Sequence, residues 1–484
     1  MSPKRRKRYM PPFDVDITHL AKKGVGVGEA PDGSPVWVKP APPGARMHVA
    51  PTGKRKGKWQ ARRLAMVEKP AQWAEPPCAL FGVCGGCVLQ ELQLAAQRHE
   101  KHLYALREIA EHKGWSLDEL QQHVRVHEVR GAEDAYGYRN KIELSFGPKR
   151  YLSQEAFDAG ELIDGRFLGF HAAGRFDRIA DLEKCWLASD GMNALIDVAR
   201  EHVLQEGQPV PWDPHQHKGF WRHMMLRQGT ATGELLVVLY TASAKQADEV
   251  SAVQSLAEAL MAASTPEGTS VVGVLWMEND DIADVARGQL RQVWGRDWFE
   301  EHLGKTKYRL SYRSFFQTST KAAEILYDTI GEALGDAGGT LYDLYCGIGS
   351  IGLYLSDQFD AIVGIEEIPE AIEDAGKNAA ANGITSVTYT AAKVEDALDM
   401  LPSEGEALAL VVDPPRAGLH PKVAKALAQA PGDTLVYVAC HPGSLGRDLV
   451  LLEEGGWEMT ELWTVDLFPQ TGHIEAVGRF VRKK

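Results

Sequence analysis

The chain has 484 residues, 44% of them hydrophobic, and a formal charge of −13, which is enough for about three domains of the usual ~150 residues. No apolar run reaches the ~18 residues of a membrane span, and no apolar signal region follows the basic start MSPKRRKRYMPP, so neither a membrane protein nor an exported one is indicated and a soluble cytoplasmic protein is expected. The charge is uneven: residues 1–70 carry 16 Lys and Arg against 5 Asp and Glu, a balance of +11, and the remainder carries 37 against 61, or −24.

Residues 10–70 alternate strand-like runs (FDVDITHLA, GVGVGEA, SPVWVKPA, ARMHVAPTG) with Gly/Pro turns, a pattern that predicts a small β-barrel. Lys54, Arg55, Lys56, Lys58, Arg62 and Arg63 surround Trp59, which suggests phosphate contacts and a stacking surface for nucleic acid. The segment resembles a TRAM domain, an RNA-binding barrel.

CALFGVCGGCVLQ follows. Cys78, Cys84 and Cys87 stand at C-x5-C-x2-C, one ligand short of a four-thiolate site, and Cys185 is the plausible fourth. Without a signal peptide a disulfide framework is improbable, and spacing alone leaves zinc and an iron-sulfur cluster both open. A helical pattern then covers about residues 92–114. A mixed α+β stretch continues from about residue 124 to 279, with a strand in YRNKIELSFG and a hairpin around Thr230 to Gly233.

From about residue 305 strands and helices alternate as in a doubly wound α/β sheet. LYDLYCGIGSIGLYL carries Gly347, Gly349 and Gly352 between a strand and a helix, and Glu366 lies 23 residues after Asp343, where a carboxylate would take ribose hydroxyls. A nicotinamide enzyme could share these features. Asp413-Pro-Pro-Arg416 points instead to methyl transfer onto a planar nitrogen-bearing ring, because the two prolines fix a carboxylate at the sheet's ligand edge. An amino-group methyltransferase would fit that motif too, but would not need Cys440, which ends the strand TLVYVA at the mouth of a strand-loop-helix unit.

Together DLYCGIGS, VVDPPRAG, YVACHPGSLGRDL and FPQTGHIEAV resemble the bacterial class I RNA uracil-5 methyltransferases. The TRAM-like front and the four cysteines are most similar to the iron-sulfur ribosomal RNA branch of that family. The resemblance implies three regions: a TRAM-like barrel (10–70), a central domain with an iron-sulfur site and an RNA-binding surface (71–304), and a Rossmann-like methyltransferase domain (305–484). It implies Cys440 as nucleophile, Glu475 as general base, and Cys78, Cys84, Cys87 and Cys185 as ligands of a 4Fe-4S cluster. Phe315, Gln317, Tyr345, Gly347, Gly349, Glu366 and Asp413 would then hold S-adenosyl-L-methionine or the target base. RNA is the implied partner, ribosomal in preference to transfer RNA, with no obligate protein partner; a non-catalytic RNA-binding protein on the same fold is the rival of another class.

The chain departs from the family's usual Asn at His441, Ser319 and Ser350. Because a free thiol of pKa ~8.5 is mostly protonated at neutral pH, the site is expected to lower the Cys440 value, with His441 as a contributor.

Overall fold

The computed structural model describes residues 10–336, 338–401 and 408–483; the basic residues 1–9 lie outside them. The front of the chain forms a six-stranded sheet in the spatial order Phe13–Asp16, Arg46–Arg55, Lys58–Glu68, Pro35–Val38, Val25–Glu29, His19–Ala21. Its two edge strands are neighbours in sequence. The link between them is bonded to both sides, since Ile17 N–H donates to Ala45 O (2.9 Å) and Thr18 N–H to Val27 O (2.8 Å), so the sheet curls around Val15, Ile17, Val36, Val38, Met47, Val49 and Trp59.

One expectation fails here. Trp59 is only 3% exposed and its indole N–H donates to Asp32 (3.1 Å), so the ring fills the core and offers no stacking surface. Two of the six basic residues are also spoken for, Lys54 by Asp32 (3.1 Å) and Arg63 by the buried Glu91 (2.7 Å).

The predicted helix is found at Leu94–Lys113 and the predicted hairpin at Trp221–Gln228 and Glu234–Thr241. These hairpin strands sit in a seven-stranded sheet with Lys141–Lys149 and Ser270–Glu278 beside them. Helices Asp190–Val203 and Ala247–Met261 cover one face of this sheet through Leu195, Ile196, Val253 and Leu256. Met225, Val238 and Leu275 join a core that also contains Leu310, Leu326, Val411 and Val477. That core runs without a break into the C-terminal sheet.

The C-terminal sheet has seven main strands: β1 (Thr340–Leu344), β2 (Ala361–Glu366), β3 (Val387–Ala391), β4 (Leu408–Val412), β5 (Thr434–Ala439), β6 (Trp457–Asp466) and β7 (Glu475–Arg482). Their order is β3-β2-β1-β4-β5-β7-β6, and two short segments, Arg125–Val126 and Arg130–Gly131, add to β6. Strands β1 to β5 are parallel, whereas β7 is antiparallel to both β5 and β6. Every residue of β5 is buried, as expected of a strand covered by helices on both faces. The strand order reverses between β1 and β4, which opens a crevice at their carboxyl ends. No described helix is long and apolar enough to cross a membrane.

Helix Leu94–Lys113 belongs to this assembly through Leu106, Ile109 and Ala110, which pack against Leu445, Leu449 and Leu452. Its Lys101, fully buried, pairs with the equally buried Asp466 at the end of β6 and donates to Phe468 O (3.2 Å). Removing one partner of such a pair leaves an uncompensated buried charge. Lys101→Met should therefore lower stability by about 3–5 kcal/mol, read from the midpoint of urea unfolding, and Lys101→Met/Asp466→Asn should recover part of the loss.

Candidate active site

Strand β5 pairs antiparallel with β7, and the last pair in register is Ala439 with Ala476. One residue further along each strand stand Cys440 and Glu475. Thirty-five positions apart in sequence, they are brought opposite each other at the edge of the sheet, and both line one cavity of about 1520 Å³. Cys440 leaves the strand because His441 adopts an extended cap conformation and Pro442 opens the next helix, Pro442–Glu454.

Gln317, Phe315, Tyr345, Gly347, Glu366 and Asp413 line the same cavity. Gly349 does not. It sits at φ +73° beneath the loop, where a Cβ would come 2.5 Å from Tyr389 Oη, so its part is to let the turn form. Tyr345 is itself held at φ +66°. Glu366 at the end of β2 accepts from Gly347 N–H (3.2 Å) and Ile368 N–H (3.0 Å), while Asp343, buried under the loop, accepts from Gly352 N–H (3.1 Å). The loop is thus fastened to carboxylates on two strands. Ile348, Ile368, Val394 and Leu419 give the cavity apolar walls, and Phe315, 72% exposed, stands at its lip.

The electrostatics run against one expectation. The Cys440 thiol is pushed up to about 11, chiefly by burial and then by the carboxyls of Glu475 and Asp413; Arg416 is the cation that opposes them. His441 is no help, because burial and nearby Lys22 lower its own pKa and favour the neutral ring. Burial raises Glu475 to about 8, with Asp413 adding to the shift, and raises Asp413 to about 7. At neutral pH the free site therefore favours a protonated thiol and a protonated Glu475.

Two side chains given no role by the sequence belong here. Arg416 Nη2 lies 3.0 Å from His473 Nδ1, and both line the cavity. The signal for Arg416 was its place directly after the double proline, which carries it to the mouth with Asp413.

The loop before β7 is clamped from outside the sheet. Gln470, at φ +68°, exchanges two hydrogen bonds with Gln97, and its carbonyl accepts from Val88 N–H (2.8 Å) and Leu89 N–H (3.1 Å), just after Cys87. Tyr138 OH donates to Pro469 O (2.8 Å). These contacts fix the path into Glu475.

The family model for tRNA (uracil-5-)-methyltransferase matches residues 277–484. An uncharacterized RNA methyltransferase of Chlorobaculum tepidum is 34% identical over 97% of this chain and 96% of its own, and one of Porphyromonas gingivalis is 33% identical over 97% and 99%. The chain belongs to the RNA (uracil-5-)methyltransferase family. This is the family its four motifs resemble. The solved structure of the Pyrococcus abyssi tRNA (uracil-54, C5)-methyltransferase, in complex with S-adenosyl-L-homocysteine, superimposes with a TM-score of 0.73 at 24% identity, over 96% of this methyltransferase and all of that chain, which establishes a shared fold.

Of the three positions singled out in the sequence, Ser350 Oγ bonds Tyr327 OH (2.8 Å) and Ser319 is buried before helix Thr320–Leu334. His441 Nε2 is buried without a protein partner.

Cys78, Cys84, Cys87 and Cys185 lie close enough for their charges to couple. Burial, with the neighbouring thiols adding, raises Cys84 to about 11 and Cys87 to about 12. Gly86 N–H points at Cys84 Sγ (3.4 Å), and Asn193 holds both the N–H (2.9 Å) and the carbonyl (3.1 Å) of Cys185. The coupling brings four soft donors into one neighbourhood. Among the described residues, no three His, Cys, Asp or Glu side chains are already drawn to metal-ligand spacing. Cys346, 5% exposed, is packed beneath the glycine loop.

Glu475 gives the methyltransferase a measurable pH signature. A carboxyl whose pKa rises on folding holds its proton more tightly in the folded chain, so its share of stability is greatest below 4.5, the ordinary value, and is lost as pH rises through about 8. Thermal midpoints measured from pH 4.5 to 9 should fall more steeply for the wild type than for Glu475→Gln, with the difference confined to that window.

Proposed function

We propose that the chain is an S-adenosyl-L-methionine-dependent RNA methyltransferase that forms 5-methyluridine through a covalent bond between Cys440 and uracil C6. The observation that carries this reading is the β5–β7 register, which sets a thiol and a carboxyl side by side at the ligand edge of the sheet.

The glycine turn, Glu366 and the apolar walls suit an adenosine, and S-adenosyl-L-methionine, when bound, supplies the methyl group. Gln317, Tyr345, Gly347 and Glu366 hold it in this reading, with Gly349 shaping the turn. Asp413 faces the polar edge of the base. The protein's own steps begin with Cys440, whose thiol releases its proton to solvent and whose sulfur then bonds to C6, leaving an electron-rich C5 to take the methyl group. The positive charge of Arg416 favours the thiolate. Glu475, once it has given up its own proton, then removes the C5 proton, the C5–C6 double bond re-forms and the sulfur leaves. A carboxyl near pKa 8 has the proton affinity such a base needs. The uridine must leave its stack to reach this edge, which favours loops and flipped bases.

We further propose that regions 10–70, 71–304 and 305–484 are a TRAM-like barrel, a cluster-bearing central domain and a methyltransferase domain, with Cys78, Cys84, Cys87 and Cys185 holding a 4Fe-4S cluster. The combination of barrel and cysteines favours 23S ribosomal RNA as substrate. A transfer RNA substrate is the second reading, favoured by the description of the matching family model and by the Pyrococcus abyssi neighbour.

The test is methylation of transcribed 23S ribosomal RNA and transfer RNA, followed by nucleoside analysis. Wild-type protein should yield 5-methyluridine in the former, and Cys440→Ala should reduce the yield by at least about 10⁴-fold. Methylated adenine or cytosine in place of 5-methyluridine would refute the reaction. Protein purified without air should hold iron and sulfide in similar amounts and lose both in Cys84→Ser/Cys87→Ser; stoichiometric zinc would refute the cluster.

A further inference from the structure

Beside the catalytic cavity lies a second, much smaller groove of about 10 Å³, which shares Cys440, Arg416 and His473 with it and is rimmed by exposed lysines. Its other walls include Lys22 and Lys23 from the N-terminal sheet and His441 from the catalytic one. The two lysines are held there by backbone. Their turn, Lys22–Gly24, with Lys23 at φ +63°, lies so close to the catalytic loop that a Cβ on Gly472 would come 2.0 Å from Gly24 N.

The groove gathers positive charge without answering it. The ion pairs of the N-terminal sheet and the linker after it are made by Arg46, His48, Lys54, Arg63 and Lys69; among the described residues none takes up Lys22, Lys23 or Lys39. Lys23 and Lys39 repel one another, and Arg416, Lys101, Arg139 and Lys39 together help hold the His473 ring neutral, after burial. The carboxyls within reach, Glu108 beside Lys22 and Asp413 and Glu475 in the cavity, are all shifted by burial toward their neutral forms. His441 Nε2 adds a buried polar atom with no protein partner. Cations assembled at a fixed place, the two lysines in no ion pair among the described residues, call for an anion.

We propose that this groove is a phosphodiester site, holding the RNA backbone phosphate next to the uridine presented to Cys440, with Lys22, Lys23 and Arg416 as its cationic ligands. The proposal rests on the RNA uridine reading above. A base turned out of its stack stays tethered to its own phosphates, so a pocket that takes the base at Cys440 must bring backbone within one nucleotide of this groove. It also gives the N-terminal sheet a part at the reaction centre, separate from its outer basic strands.

The experiment uses the full chain with Lys22→Gln/Lys23→Gln, and transcribed 23S ribosomal RNA and transfer RNA as probes. The slope of log affinity against log salt should fall by about one, and methyl transfer at sub-saturating RNA should fall about tenfold, with S-adenosylmethionine affinity within about twofold of wild type. Lys22→Arg/Lys23→Arg should restore both. An unchanged slope, a parallel loss of cofactor affinity, or failure of the arginine variant to restore binding would overturn the proposal. If the slope responds as stated but wild-type protein makes no 5-methyluridine, the reaction assigned above falls and the phosphate site stands; if wild-type protein binds neither RNA, both fall.

Discussion

The antiparallel pairing of β5 with β7 is the constraint on which the rest of the site depends. In a purely parallel sheet the carboxyl ends of neighbouring strands would supply the catalytic groups; here β7 runs the other way, so its first residue, Glu475, meets the residue after the last of β5, Cys440. A slip of one residue would turn Glu475 to the opposite face of the sheet. The register is secured from both sides: Leu435, Val477 and Phe480 are fully buried, and the loop before β7 is clamped by Gln97, Tyr138 and the backbone after Cys87. The front half of the chain thereby takes part in placing a residue near its end.

This placement has an electrostatic consequence. A thiol, Glu475 and Asp413 set together cannot all carry negative charge: both carboxyls raise the thiol's proton affinity, and Asp413 raises that of Glu475. Arg416 is the cation at their centre, and it contacts His473, held neutral by burial and by the cations around it. A site poised in this way keeps its nucleophile protonated until a gain of positive charge, or the loss of a neighbouring negative one, favours the thiolate.

The parts of the fold that depend on neighbouring residues were legible in the sequence. TLVYVA reads as a fully buried strand because all its side chains are apolar, and the Gly347–Gly349 turn and Asp413-Pro-Pro announce their places because glycine and proline restrict the backbone locally. Contacts between distant segments were not legible. Gln97 and Gln470 are 373 positions apart, and nothing in either local pattern marks them as partners. Trp59 looked like a stacking surface because its neighbours are basic, yet alternation in the strand turns it inward onto Asp32. The Cys440 pKa was misjudged for a related reason: the adjacent His441 is visible in sequence, but the burial and the carboxyls that outweigh it come from other strands.

The central claim is that Cys440 and Glu475 act at opposite ends of one covalent cycle, and the most direct measurement is the mass of Glu475→Gln protein after incubation with S-adenosylmethionine and substrate RNA. Attack and methyl transfer need no base, whereas release does, so this variant should accumulate methylated RNA bonded to Cys440, stable to denaturing electrophoresis and mapped to that residue after digestion. Normal turnover by Glu475→Gln, or an adduct on any other side chain, would contradict the account.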